Sequence, residues 1–387
     1  MNTRRYDIDA LRVLACYLQF PFHAGRIFDD QVYHLKAFSS VTEIGWLTAF
    51  LHTWRMPLFF FVAGWSAARM LAHRELTTFL HSRFRRLLPP LVVGILVAAP
   101  LIKYLELSHG LDLKPCGPAT GAWFQETFWE HFLHYFSNLR RFNWSHLWFL
   151  IYLLLYSVLL LPLLLRIIDA PPRQILGCGW LLVPLVGLTI TEVALRPLFG
   201  DYPNLYRDWA GHLNYMQFFV IGTLTARHPG CDLALARYGP LLGLAGIAAG
   251  IVVALQVGPL EFRLALRPLA AWGCVAGLYG VLRHRVPSTP RLLTLADASI
   301  ALYVLHHPIL ILVGVWVLTL PIGPWASFAL IALLSLGLTQ ALYTFLVQPW
   351  PWLRVLLGMP LRPRKVTTES IDPLGDGTRK NIRAQAS

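Results

Sequence analysis

What most restricts the fold of this chain is a series of long apolar runs, such as Leu147–Leu165, Ile175–Ile190 and Phe328–Val347. Each is close to the ~20 residues a helix needs to cross a hydrocarbon core. In lipid every backbone N–H and C=O must be satisfied internally, and a helix does this within one segment. Composition agrees, with 56% hydrophobic and 14% charged residues, against about a quarter charged in soluble domains. The chain therefore reads as an all-α polytopic membrane helix bundle of about ten transmembrane helices. The expected cores are 9–28, 46–68, 87–105, 146–166, 175–194, 212–226, 240–256, 264–282, 296–317 and 325–347. Residues 1–350 are expected to form one transmembrane domain. Residues 351–387 are expected to be a polar, largely disordered cytoplasmic tail, because from 361 onward no apolar period remains.

The formal net charge of +13 raises nucleic acid as a partner, but the positions of the charges favour membrane orientation. One set of alternate loops carries Arg4, Arg5, Arg69, Arg74, Arg83, Arg85, Arg86, Arg166, Arg173, Arg227, Arg237, Arg283, Arg285, Arg291 and the tail from Arg354. On the other side Lys36, Lys114, Arg140, Arg141, Arg196, Arg207, Arg263 and Arg267 are diluted by acids such as Asp29, Asp30, Glu126, Glu130, Asp201 and Asp208. The positive-inside rule then puts both termini in the cytoplasm, as an even number of spans requires, and no nucleic-acid partner is expected. The five cysteines, Cys16, Cys116, Cys178, Cys231 and Cys274, suggest neither a disulfide framework nor a metal pattern. Asp9 and Arg12 interrupt what would be the apolar core of a signal peptide, so the first helix is expected to be retained.

That helix carries a polar stripe of Asp9, Arg12, Cys16, Gln19 and His23, spaced as one helical face. Arg12 and His23 are eleven residues apart, which brings them within ~20° of one direction and ~16 Å apart along the axis. Ionisable groups at such depth usually face a cavity and have a function. A neutral His23 imidazole there can take a proton from a hydroxyl. Its structural alternative is a hydrogen bond to a neighbouring helix. Asp9 and Arg12 are spaced to pair at i, i+3.

Three further groups stand out. Arg83 and Arg86 share a helical face before Pro89-Pro90 and suit anionic phosphates, or else serve as anchoring charge. Tyr303-Val304-Leu305-His306-His307-Pro308 lies inside the ninth span, and the three-residue spacing from Tyr303 favours His306 over His307 as the inward residue. His146 opens the fourth span, where it either lies at the interface or helps build an outer site. In the loop 106–145, Trp123, Phe124, Phe128, Phe132 and Tyr135 suggest an amphipathic interfacial helix or a sugar platform. Asn143-Trp144-Ser145 is a weak glycosylation match. Gly246-x-x-x-Gly250 and Gly273-x-x-x-Gly277 suggest close helix packing. No G-x-S-x-G, Walker A, H-E-x-x-H or H-x4-D pattern is present, and no metal is expected.

Taken together, these residues resemble the acyltransferase 3 family of integral-membrane acyltransferases. The resemblance runs from Asp9-Ala10-Leu11-Arg12 to His23, then through Met56–Gly64, Arg83-x-x-Arg86, His146–Leu150 and Ser299-x-x-x-Tyr303-x-x-His306-x-Pro308. Phe22–Arg26, and Leu198–Gly222 with Asp208-Trp209, look most like the periplasmic glucan succinyltransferase branch. Ala63 departs from the family, which often has Ser before the Gly, and no hydrolase-like extracytoplasmic domain is expected. The resemblance implies residence in the bacterial inner membrane, no permanently bound cofactor, acyl-CoA as co-substrate and an extracytoplasmic glycan or other hydroxyl acceptor. It also implies His23 as the catalytic histidine with Arg12 and Asp9 beside it, and Arg83, Arg86 and Arg12 on the cofactor phosphates. His146, Tyr303, His306, Asp208 and Trp209 are then candidates for the substrate side. This reading has Arg12 and His23 open into one solvated tunnel from the inner leaflet. It leaves the oligomeric state, and direct transfer against an acyl-histidine, undecided. The rival reading is a transporter or flippase whose polar stripe lines a permeation path, although no repeat symmetry is visible.

Overall fold

The computed structural model describes residues 4–113, 120–138, 140–173, 177–200, 204–283 and 285–361. Lys114, Cys116, Asp201 and the tail from 362 onward lie outside them. Among the described residues the chain is helical, with no strand. Helices α1 (Tyr6–Tyr17), α2 (Gln19–Gly25) and α3 (Thr42–Leu71) open the chain. They are followed by α4 (Leu76–Ser108), the short helix α5 (Phe128–Ser137), and the pair α6 (Trp148–Leu159) and α7 (Leu161–Asp169). Next come α8 (Gly179–Phe199), α9 (Trp209–Arg227), α10 (Pro229–Ala254) and α11 (Leu260–Leu282). The series ends with α12 (Pro290–Val317), α13 (Pro324–Val347) and the short α14 (Pro351–Leu356).

Six of these helices, α4, α8, α10, α11, α12 and α13, are long and apolar enough to cross a membrane. The pair α6–α7, bent by 59° and reaching back to Ser145, makes a seventh if counted as one span. This is a multi-pass membrane protein. The other three expected cores fall on α1–α2, which are each too short, and on α3 and α9, which are not apolar enough over a spanning length.

The first expected span is not one helix. It breaks at Leu18, and Pro21 supplies a reason: lacking an N–H, it cannot donate to the carbonyl of Tyr17 four residues back. At the centre α3 packs against α1, α2, α9, α10 and α11. Its crossing with α9 depends on glycine. A Cβ on Gly64 would lie 1.9 Å from the Phe219 carbonyl oxygen, and one on Gly222 would lie 2.0 Å from that of Phe61. The expected small-residue contact between α10 and α11 is present, with Gly246 against Gly273 and Gly243 against Gly277. The aromatic core runs along α3, where Phe60 stacks on Tyr215 at 4.7 Å between ring centres.

Candidate active site

The polar stripe divides into a group near the N-terminus and a group at the far end of α2. Near the N-terminus, Asp9 accepts from Arg4 at 2.6 Å and from Arg12 at 2.8 Å. Arg12 also donates to Ser66 Oγ at 2.8 Å, so the expected i, i+3 pair forms and is tied to α3. Arg83 is buried, and Arg12 and Arg86 are near enough for their charges to act on it. Its Nε and Nη2 have no hydrogen-bond partner among the described residues. A buried guanidinium with idle donors is costly unless an anion completes it.

Further along the stripe the side chains are engaged by residues of other helices. Cys16 Sγ lies 3.5 Å from the carbonyl oxygen of Ser299. Gln19 accepts from Arg55, whose guanidinium carbon sits 3.5 Å from the centre of the Phe22 ring. Both Cys16 and Gln19 are buried. His23 is partly exposed and lines a cavity of about 480 Å³. The walls come from α2, α3, the loop 26–41, residues 142–146, residues 204–208 and α12.

This cavity holds His23, His146, Tyr303 and Asp208 of the expected site residues. Asp208 also caps α9 by accepting from Gly211 N–H at 2.8 Å. Trp209 is not among the lining residues and is about half exposed. Nor do Arg12, Asp9, Arg83 or Arg86 line it. Arg12 thus does not share this cavity with His23, although Gln19, which lies between them on the stripe, lines it. The inward histidine also differs from the expectation. Both His306 and His307 are buried, but it is His307 that lines the cavity.

Four imidazoles surround one another here. The His23 ring centre lies 4.7 Å from that of His307 and 5.3 Å from that of His306, and His146 is 4.7 Å from His307. Pro308 explains one of the contacts. It has no N–H for the Val304 carbonyl four residues back, and His146 Nε2 approaches that carbonyl at 3.2 Å instead. Tyr303 donates to the carbonyl of His146, and His306 Nδ1 faces the carbonyl of Tyr303. Backbone carbonyls accept only, so both rings carry their proton on the bonded nitrogen. His146 Nδ1 and His306 Nε2 remain buried without a partner among the described residues.

Sequence reasoning missed two cavity residues. Arg55 sits mid-helix in α3, buried, with its Nε unpartnered, and its charge reaches His23. An arginine in the middle of an apolar 30-residue helix was itself a usable signal. Tyr33 comes from the loop 26–41, which Lys36 staples by donating to the carbonyl of Arg26 at 2.8 Å and to Asp29 Oδ1 at 3.1 Å. Tyr33 Oη is 3.0 Å from His23 Nδ1 and 2.7 Å from His307 Nε2. Burial pushes the Tyr33 phenol well above its usual range, so it keeps its proton.

Residues 5–344 match the acyltransferase 3 family model, described as an acyltransferase domain. Among curated proteins the chain is 26% identical over 345 residues to glucans biosynthesis protein C of Salmonella agona (strain SL483), covering 81% of this chain and 84% of that one. The protein of the same name from Salmonella heidelberg (strain SL476) is similar to the same extent. No solved structure matches the chain.

Proposed function

Because the chain belongs to the acyltransferase 3 family of integral-membrane acyltransferases, we propose that it moves an acyl group, acetyl or succinyl, from acyl-CoA to a hydroxyl of an extracytoplasmic glycan. The observation that carries this reading is His23, half-buried at the wall of a cavity with its Nδ1 held by Tyr33. That leaves Nε2 as the nitrogen free for chemistry. In direct transfer, His23 Nε2 takes the proton as the acceptor oxygen attacks the thioester carbonyl. The carbon–sulfur bond breaks and the departing thiolate receives that proton. General-base assistance of this kind contributes ~10²–10⁴ in rate. Arg55, beside His23 with donors to spare, is suited to stabilise the oxyanion formed on the way.

The acceptor is proposed to enter the cavity, where Trp46, Trp144 and Tyr206 offer flat apolar faces for sugar rings. A glucan is the first acceptor to try, since the curated relatives bear the name glucans biosynthesis protein C. The donor belongs at the other end, with its phosphates on Arg83, Arg86 and Arg12. That end is proposed to be cytoplasmic, with both termini inside, about ten spans and the bacterial inner membrane as host. The separation of Arg12 from the cavity favours a second version of the step, in which His23 Nε2 accepts the acyl group first and passes it to the acceptor after the donor leaves. Rapid quenching with labelled donor and no acceptor distinguishes the two, since only the second leaves label on His23.

The test of the central reading is His23→Ala in purified, folded protein with labelled acetyl- or succinyl-CoA and a glucan. Transfer is expected to disappear. Undiminished transfer would remove His23 from the reaction, and substrate exchange across liposomes without any acyl donor would favour the transporter reading.

A further inference from the structure

A chain of close polar contacts runs from His23 to a carboxylate on α4. His23 Nδ1 meets Tyr33 Oη at 3.0 Å, and Tyr33 Oη meets His307 Nε2 at 2.7 Å. His307 Nδ1 is 3.5 Å from Ser145 Oγ, which is 3.4 Å from His34 Nε2. His34 Nδ1 is 2.6 Å from Glu106 Oε2. The two Ser145 contacts are the longest links, near the limit of a hydrogen bond.

The far end sets the sense of every bond. Glu106 is buried, and its other oxygen already accepts from Lys103 Nζ at 2.6 Å and from the Leu113 N–H at 2.8 Å. A carboxylate with that company accepts and does not donate. With His34 neutral, donation from Nδ1 makes its Nε2 an acceptor. Ser145 donates to His34 and accepts from His307 Nδ1–H. His307 Nε2 accepts from the Tyr33 hydroxyl, and Tyr33 in turn accepts from His23 Nδ1–H. The last proton therefore sits on His23 Nδ1, and Nε2 is left bare.

We infer that Tyr33, His307, Ser145 and His34 are positioning residues that hold His23 in the tautomer with a free Nε2, in a sense dictated by Glu106. Resting on the proposed role of His23, this line does for its imidazole what a buried carboxylate does directly in a hydrolase triad. No proton needs to travel along it; the line orients the ring and selects the tautomer. Ser145 is held in an uncommon backbone conformation at this place. It is one of two non-glycine residues with positive φ among the described residues, at 47°, a conformation that persists at functional sites when the surroundings enforce it. Asn143 Oδ1 helps to hold it there by accepting from the Ser145 N–H at 2.8 Å.

Tyr33→Phe in the full-length protein keeps the ring and removes the hydroxyl. The expected result is a fall in kcat of about 10–100-fold, the usual effect of losing an orienting partner, with KM for both substrates unchanged. His307→Leu should fall to a similar level, the Tyr33→Phe/His307→Leu double variant should fall little further, and His307→Gln, whose carbonyl can still accept from Tyr33, should recover much of the loss. Ser145→Gly, which relieves the backbone and deletes the hydroxyl, covers the case in which Tyr33→Phe does not fold, and its kcat should drop while its stability does not. Nitrogen-15 spectra of labelled histidine should show His23 protonated on Nδ1 in the wild type and mixed in Tyr33→Phe, independently of activity. Wild-type kcat in Tyr33→Phe, or a His23 signal protonated on Nε2 in the wild type, overturns the inference. If His23→Ala keeps its activity while the spectra are as expected, the proposed function fails and the hydrogen-bonded line stands.

Discussion

At the scale of single residues, the two arginine environments separate binding from chemistry. Arg83 is buried with two unpartnered nitrogens beside Arg12 and Arg86, whereas Arg55 stands at the cavity wall near His23. Hydrogen bonds to a charged group contribute ~1.5–3 kcal/mol. Arg83→Ala should therefore raise KM for the acyl donor by about 10–100-fold and spare kcat at saturation, as initial rates at varied donor concentration would reveal. Unchanged donor KM would detach Arg83 from the phosphates. The Asp9–Arg12 pair was legible in the sequence because i, i+3 spacing defines proximity on a single helix. That His307, rather than His306, lines the cavity was not. The two are adjacent on α12, and which of them meets the cavity depends on how α12 is rotated against α2 and on where the loop brings Tyr33.

At the scale of helices, the contact of α3 with α9 is the one most sensitive to added volume. A methyl group on Gly222 would meet the Phe61 carbonyl oxygen at 2.0 Å, and backbone cannot step aside as a flexible side chain can. Gly222→Ala is expected to destabilise by ~1–3 kcal/mol or more through overpacking. Gly337, on α13, has nothing within 4 Å of such a methyl, so Gly337→Ala should be neutral or gain up to ~1 kcal/mol from helix propensity. Thermal unfolding of both variants in the same detergent measures the contrast, and equal losses would show that the close crossing is not what matters. Runs of apolar residues located these helices well, since in lipid length and apolarity are the controlling terms. The break before α2 could have been read from Pro21 but lies inside an otherwise regular stripe.

At the scale of the whole molecule, the segment around α5 packs on α4 through Tyr104 and carries groups that titrate. His131 is fully buried between Tyr104 and Tyr135, and burial lowers its pKa to about 4 from the ordinary 6.5, helped by the Arg141 charge. Between those values the unfolded chain binds a proton that the folded one resists, so stability falls as pH falls across that window. Glu126 acts with the same sign: its hydrogen bond from Arg141 holds the carboxyl below its usual range, and that contribution is lost on acidification through the lowered value. Protection factors in 120–138, taken relative to the intrinsic exchange rate at each pH, should fall from pH ~6.5 down to about 4, and His131→Phe should blunt the change. Protection that is flat with pH would contradict this. The amphipathic helix expected here forms, with Thr127 and Glu130 capping it, but Tyr135 is buried while Trp129 and Leu133 are the exposed apolar residues. By itself the sequence determined the helical membrane architecture and the family, because apolar run length and motif spacing are local properties. Only the tertiary structure decided that Tyr33, His307, Ser145, His34 and Glu106 converge on His23, because residues from a loop, a helix start and three separate helices become neighbours through packing that no linear spacing encodes.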